Sequence, residues 1–424
     1  MEKSLNVFEE DLIPVRKITE DLASEDGKES VGEALEESLE SVNSLPSDNS
    51  KALVLVEITE ILLNSDLIYL AKRFGEKAFT STKEIKITAE KAKTLSRLAS
   101  VFAEHQFYKI SSKIFKSAWN EAKTVEDRGK RIQVFLSIIE DQLEKGLYEK
   151  AENNLDKILP TALNLAEKEN KIVPLAMTTE TMAKIRKEKA EDLCEKVLEF
   201  AQCSESKGDR RWIISSVAKA FSRIGRHEKS MQLMRDLIPL EDSDIQLVEV
   251  AALLSNDGQT ERALELKDHV KNQDLRDSLM GMVAGDLVNR KFIDEALELK
   301  EKIEDEFETD LLLKNLVSHF AEEDRKKARI YLDEIRSQEM KSLAYKELAL
   351  SFLQDEDHQR AEELAVKAKE MMTKSKSETV KVELVDVLID VGLKEKACEI
   401  AEEITTSEER AIAFGSIAAC CYPK

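Results

Sequence analysis

The chain has 424 residues, of which 85 are Asp or Glu and 64 are Lys or Arg, a formal net charge of -21. Nucleic acid attracts basic surfaces, so this balance argues against it as a partner. With only 12 Gly and 6 Pro, there is little turn chemistry for a sheet protein and few points where a helix has to stop.

In chain order, residues 1–50 stand apart. They hold 14 acidic and 4 basic side chains, a net of -10, and eight serines. So much charge with so little apolar material does not offset the entropy of ordering, and the stretch is expected to be an acidic, Ser-rich, largely flexible segment. Short helices fit only around Leu5–Leu22 and Val31–Val42. Its N-terminus has no apolar h-region, and the chain has no uncharged apolar run of ~18 residues, so neither a signal peptide nor a membrane span is expected. The five cysteines, Cys194, Cys203, Cys398, Cys420 and Cys421, lack the spacing of a zinc site or disulfide framework. Reduced thiols and a cytoplasmic location follow as expectations.

From Lys51 onward apolar residues recur three and four apart, as in Leu279, Met282, Val283 and Leu287, which is the period of a helix buried on one side. The breaks are short: Gly225-Arg226-His227, Asp257-Gly258-Gln259 and Gly392-Leu393-Lys394. Short links make successive helices antiparallel neighbours.

A small residue follows each break, at Ala151, Ala190, Ser230, Ala263, Ala296, Ala328, Ala361 and Ala397, at spacings of 39, 40, 33, 33, 32, 33 and 36. Earlier members fall at Ile110 or Ser111 and near Ala71. The wording recurs with the spacing: Gly146-Leu-Tyr-Glu-Lys-Ala151 returns as Gly225-Arg-His-Glu-Lys-Ser230, Gly258-Gln-Thr-Glu-Arg-Ala263 and Gly392-Leu-Lys-Glu-Lys-Ala397. Glycine ends the first helix because it takes left-handed dihedrals without strain. The small residue one turn later lets two backbones approach. Ala218, Ala251, Ala284 and Ala349, on the preceding helix, supply the facing small residue. These marks, with Phe221, Leu254, Leu287 and Phe352 between the small pair, resemble the tetratricopeptide-repeat family over roughly residues 50–420. The chain departs from that pattern where Val270, Ile303, Ile335 and Ile404 replace a third small residue, and where the closing proline is missing.

The expected fold is therefore all-α: a right-handed α-α superhelix, a solenoid of about ten helical hairpins. Residues 51–227 hold repeats of period near 40, and residues 228–424 hold repeats of period near 33 with a terminal capping helix. The longer units are expected to carry longer helices, as over Asn154–Lys171.

No motif for catalysis, cofactor or metal stands out. His105, His227, His269, His319 and His358 lie in separate repeats without ligand spacing. No Gly-rich phosphate loop and no G-x-S-x-G are present. The chain is expected to be a non-catalytic scaffold or adaptor that holds a protein or peptide in the solenoid groove. The alternatives are a chaperone or regulator of one client, a helical-repeat nucleic-acid binder and a helical-repeat enzyme. Two segments invert the overall charge. Residues 83–131 carry 12 basic and 6 acidic side chains, and residues 207–235 carry 8 and 2. In the second, Trp212, Lys219, Arg223 and Arg226 follow at helical spacings of 7, 4 and 3. These four are the candidate partner-binding residues, for an acidic or phosphorylated segment. In the resembled family a Lys/Asn/Arg clamp holds a chaperone C-terminus, but Lys346 is followed by Leu350, and Leu313 and Val317 fill the preceding unit. Capture of such a tail is not expected. The acidic N-terminus is expected to compete with an acidic partner for the groove.

Overall fold

The computed structural model describes residues 28–202, 207–238, 243–372 and 377–421. Within them every regular element is helical: twenty-two α-helices and one short 3-10 turn, Thr82–Glu84. The chain is a helical-repeat protein that divides into two compact units. One runs from Glu126 to Ser337, and the other combines the residues up to Val125 with those from Gln338.

The contiguous unit is six hairpins in which helix A is followed by helix B. They are α6 (Arg128–Glu144) with α7 (Tyr148–Glu169), α8 (Val173–Ala183) with α9 (Lys187–Gln202), and α10 (Lys207–Arg223) with α11 (His227–Leu237). Then come α12 (Asp244–Asn256) with α13 (Thr260–Lys267), α14 (Gln273–Asn289) with α15 (Ile293–Lys300), and α16 (Glu306–Glu323) with α17 (Arg325–Glu334). Within this unit successive A helices also pack on one another, so one layer is built of A helices. The change of period lies in the B helices: α7 has 22 residues, whereas α13 and α15 have 8.

The small residues are where the repeat logic needs them. Ala151, Ala190, Ser230, Ala263, Ala296, Ala328, Ala361 and Ala397 are all fully buried, as are Ala218, Ala251, Ala284 and Ala349. Small side chains on both helices let the backbones close in, and the large neighbours Phe221 and Leu254 fill what remains. Ala263→Trp is expected to overpack its hairpin and cost roughly 1–3 kcal/mol. Thermal unfolding of that variant checks it, and a midpoint equal to the parent's would remove Ala263 from the hairpin core.

The turn between A and B is one geometry used many times. Gly146 and Gly225 have φ of 70° and 81°, and the following N–H bonds back five residues, Arg226 to the Phe221 carbonyl at 2.8 Å. That is the pattern of a Schellman cap. Asp66, Gln106, Lys291 and Glu356 take the same left-handed place with φ from 60° to 66°. Searching for glycine therefore finds only some of these turns.

The second unit is assembled from the two ends of the sequence. Its sequential hairpins are α2 (Asp48–Asn64) with α3 (Ile68–Ser81), α4 (Thr88–Glu104) with α5 (Tyr108–Lys123), α18 (Gln338–Gln354) with α19 (His358–Met372), and α20 (Glu378–Asp390) with α21 (Lys394–Glu403). A further pair is split. α22 (Ser407–Cys421) takes the A position, packing on the A helices α20 and α2, and its B partner is α1 (Lys28–Ser44). Ser38 Oγ donates to the Ala411 carbonyl at 2.8 Å, Ser44 Oγ to Ser407 Oγ at 2.7 Å, and Arg410 pairs with Glu37 at 3.5 Å. Gly415 admits Ile58 of α2 so closely that a Cβ would lie 3.3 Å from its Cγ1.

This pairing contains the short helix that the sequence allows around Val31–Val42, extended at both ends. From Lys28 to Ser44 the chain is helix, and Ala34, Ser38, Ser41, Val42 and Leu45 are buried on one side of it. That spacing is a short amphipathic stripe made largely of small residues. It is too weak to order alone and finds its cover on a helix more than 360 residues away in sequence. α22 is correspondingly no free cap, because α1 and α2 both cover it. The helix expected near Leu5–Leu22 lies outside the described residues.

Candidate functional site

α10 carries three of the four candidate residues on one face. Trp212 leaves 49 % of its surface exposed. Two and three turns further on, Lys219 and Arg223 are drawn to this chain's own carboxylates. Lys219 Nζ lies 3.4 Å from Glu180 of α8 and 3.2 Å from Glu249 of α12, and an Arg223 guanidinium nitrogen lies 3.4 Å from Glu180. Two cations thus share one carboxylate and lace three successive A helices together. Arg226 does not join them. It sits at the start of α11 and forms a two-point bridge to Glu191 of α9, at 3.0 and 3.2 Å to the two carboxylate oxygens from Nε. Lys229 adds bonds to Glu191 and Glu195. The hydrogen bond from Arg226 holds the Glu191 carboxyl below its usual range, and the same bond raises the guanidinium. The proposed stripe is therefore two features in two layers, both internally neutralised.

The same A-helix face continues past α10 with little charge. Ile245 of α12 is 56 % exposed, Met282 of α14 is 40 % exposed, and Phe307 of α16 is 57 % exposed. Val248, Leu275 and Leu311 are half-buried beside them. Of Trp212, Ile245, Met282 and Phe307, only the first two stand one repeat apart. Trp212, Ile245, Ser278 and Leu311 follow at intervals of 33 residues, as do Glu249, Met282 and Asn315. The Glu308 carboxylate of α16 lies over Gly281 of α14, in the space a Cβ there would take. Burial raises the Glu308 pKa, opposed by a hydrogen bond from Ser278. The cations of the stripe end at Arg226. Carrying Trp212 forward by one repeat length would have found Ile245.

The basic segment 83–131 divides its aromatic side chains, with Phe107 and Trp119 half-buried. Phe102 and Phe115 are buried, while Tyr108 is exposed. Lys346 is bound to Glu383 at 3.0 Å. Burial pushes the Cys194 thiol up to about 12, far from a reactive thiolate. Among the described residues no three His, Cys, Asp or Glu side chains are grouped to hold a metal, and no helix is long and apolar enough to cross a membrane.

No family model matches the chain, and no curated protein matches its sequence. Among solved structures, Ton1535 from Thermococcus onnurineus NA1 is similar at TM-score 0.34 and 16% identity, over 78% of this chain and 99% of that one. A circular tandem repeat protein with novel repeat topology and enhanced subunit contact surfaces is similar at TM-score 0.26 and 15% identity, over 85% of this chain and 84% of that one. At those scores neither likeness carries over anything about what this chain binds.

Proposed function

We propose that this chain is a non-catalytic binding scaffold that holds an apolar or amphipathic protein segment across the A helices of its contiguous unit. Its hairpins are taken to pack in the tetratricopeptide manner, with the right-handed sense of that family. The observation that carries this is the row of exposed Trp212, Ile245, Met282 and Phe307 on four A helices. Isolated exposed apolar residues are ordinary, but one on each of four successive A helices is the footing of an interface. An amphipathic helix presents anchors at three- and four-residue intervals and suits such a row.

An acidic or phosphorylated segment is the second reading. It draws on Lys219 and Arg223, which it would have to take from Glu180 and Glu249. Exchanging one ion pair for another gains little, whereas covering apolar surface gains about 25 cal/mol per Å². The first reading is therefore preferred.

Selection from a displayed peptide library that contains both amphipathic and acidic sequences separates the two. The expected binders are amphipathic. Ile245→Asp and Met282→Asp are each expected to weaken them by roughly tenfold or more, equivalent to about 1.4 kcal/mol. Lys219→Ala is expected to change affinity less than about threefold. Recovery of acidic binders that depend on Lys219 and ignore Ile245→Asp would reverse the choice. Any binder unaffected by all three substitutions would place the site elsewhere.

A further inference from the structure

In this acidic chain, lysines of the B helices ordinarily reach carboxylates on a neighbouring B helix. Lys189 and Lys196 of α9 meet Asp156 and Glu167 of α7, each at 2.9 Å. Lys229 of α11 meets Glu195 of α9 at 2.7 Å, and Lys369 of α19 meets Glu399 of α21 at 2.6 Å. The B helix α5 departs from this. Lys109, Lys113, Lys116, Asn120 and Lys123 follow at intervals of 4, 3, 4 and 3, which is one stripe of a helix. The one carboxylate of α5, Glu121, is taken by Lys91 of α4 at 3.0 Å. Among the described residues no carboxylate lies within ion-pair distance of Lys113, Lys116 or Lys123. Lys116 and Lys123 are exposed and Lys113 is half-buried.

On the A-helix face Glu180 and Glu249 already hold Lys219 and Arg223. An acidic segment on α5 has no such partner to displace. The chain itself carries one close by. Residues 1–27, which lead into α1, hold 8 Asp/Glu and 3 Lys/Arg, a net of -5. α1 and α3 line one cleft, and Lys72 of α3 lies 5.6 Å from the ring centre of Phe107, the residue before α5. α5 is thus two B helices from α1, roughly 20 Å, whereas a segment of this length extends to roughly 90 Å. Exposed ion pairs are individually weak, so a separate acidic chain is held only at high concentration. A tethered segment is present at about millimolar effective concentration however dilute the protein.

We propose that residues 1–27 dock along the outer face of α5, their carboxylates meeting Lys113, Lys116 and Lys123. The contact is autoinhibitory, because it closes this face to acidic segments of other molecules. It belongs to the B layer of the unit built from both chain ends and does not rest on the apolar A-helix face, so failure of either leaves the other standing.

The test uses the full chain at low salt and a carbodiimide, which joins a carboxylate directly to an amine held against it. Mass spectrometry is expected to find residues 1–27 coupled to Lys113, Lys116 or Lys123. Chains of two isotopic compositions are mixed beforehand, and the products are expected within single chains. Salt at about 0.5 M is expected to remove them by screening. A second readout needs no substitution. Deleting residues 1–27 removes no described residue, so the unfolding midpoint is expected to hold. Acylation of Lys113, Lys116 and Lys123 is expected to quicken about threefold on that deletion, as for a face covered about two-thirds of the time. Lysines of the contiguous unit serve as internal standards. Products joining chains of different isotopic composition would make a second copy the occupant and overturn the proposal. So would coupling spread evenly over the lysines of the whole chain, no coupling of residues 1–27, or acylation rates that ignore the deletion.

Discussion

Deleting residues 1–45 is expected to destabilise the unit built from the two chain ends by about 3–5 kcal/mol, the range for losing one or two large buried apolar side chains with little relaxation. The deletion removes Ala34, Val42 and Leu45 from the core and uncovers Ala411, Phe414 and Ala418 of α22. It also strands the Ala411 carbonyl of its Ser38 partner and leaves Arg410 without Glu37. The contiguous unit, Glu126–Ser337, takes no part in this pairing, so unfolding should split into two transitions of which only one moves. A synthetic peptide spanning residues 28–45 is expected to rebind and restore the lost midpoint, because α1 is a whole secondary element joined to its site by contacts alone. A deleted chain that melts like the parent would show that α22 needs no cover.

Asp310→Ala is expected to cost about 2–4 kcal/mol, because a buried acceptor that serves two backbone donors leaves both unsatisfied when it is removed. Asp310 is 3 % exposed. Its carboxylate accepts from the Arg336 N–H at 3.1 and 3.2 Å and from the Ser337 N–H at 2.7 Å. Asp277 does the same for Asp305 at 3.0 Å, and Asp244 does so for Lys271 and Asn272 at 2.9 and 2.7 Å. The three lie 33 residues apart, so each is the device by which one repeat holds the loop leaving its own hairpin. A short polar loop has no ladder of its own, and its N–H groups must be met by a side chain. Asp310→Asn keeps an acceptor and is expected to lose less than half as much. Urea unfolding measures both, and a loss for Ala no greater than for Asn would mean that the loop finds other acceptors.

These aspartates show why part of the design stayed hidden in the sequence. In a chain with 85 acidic residues, three more at a repeat interval do not stand out, because a surface carboxylate and a buried one are written alike. The turns behaved in the same way. Gly225 and Gly258 announced theirs, but Lys291 and Glu356 hold the left-handed position without any glycine, the local cost being met by the two helices they join. The candidate stripe was half legible. The spacing from Trp212 to Lys219 to Arg223 placed them on one face. That Glu180 and Glu249 would neutralise the cations depended on which helices became neighbours. Of the exposed apolar residues that followed, Ile245 stood one repeat from Trp212, whereas Met282 and Phe307 fall outside that register.

The sequence by itself determined the helical class, the hairpin as the repeating element and the small residues at Ala151 through Ala397. All of these follow from local periodicity and from the size of a side chain where two backbones meet. Only the tertiary structure decided that α1 pairs with α22, that the chain divides at Val125 and Ser337, and which charges are already taken. Those outcomes depend on contacts between residues dozens to hundreds of positions apart, and neither composition nor period records which surfaces come to lie against each other.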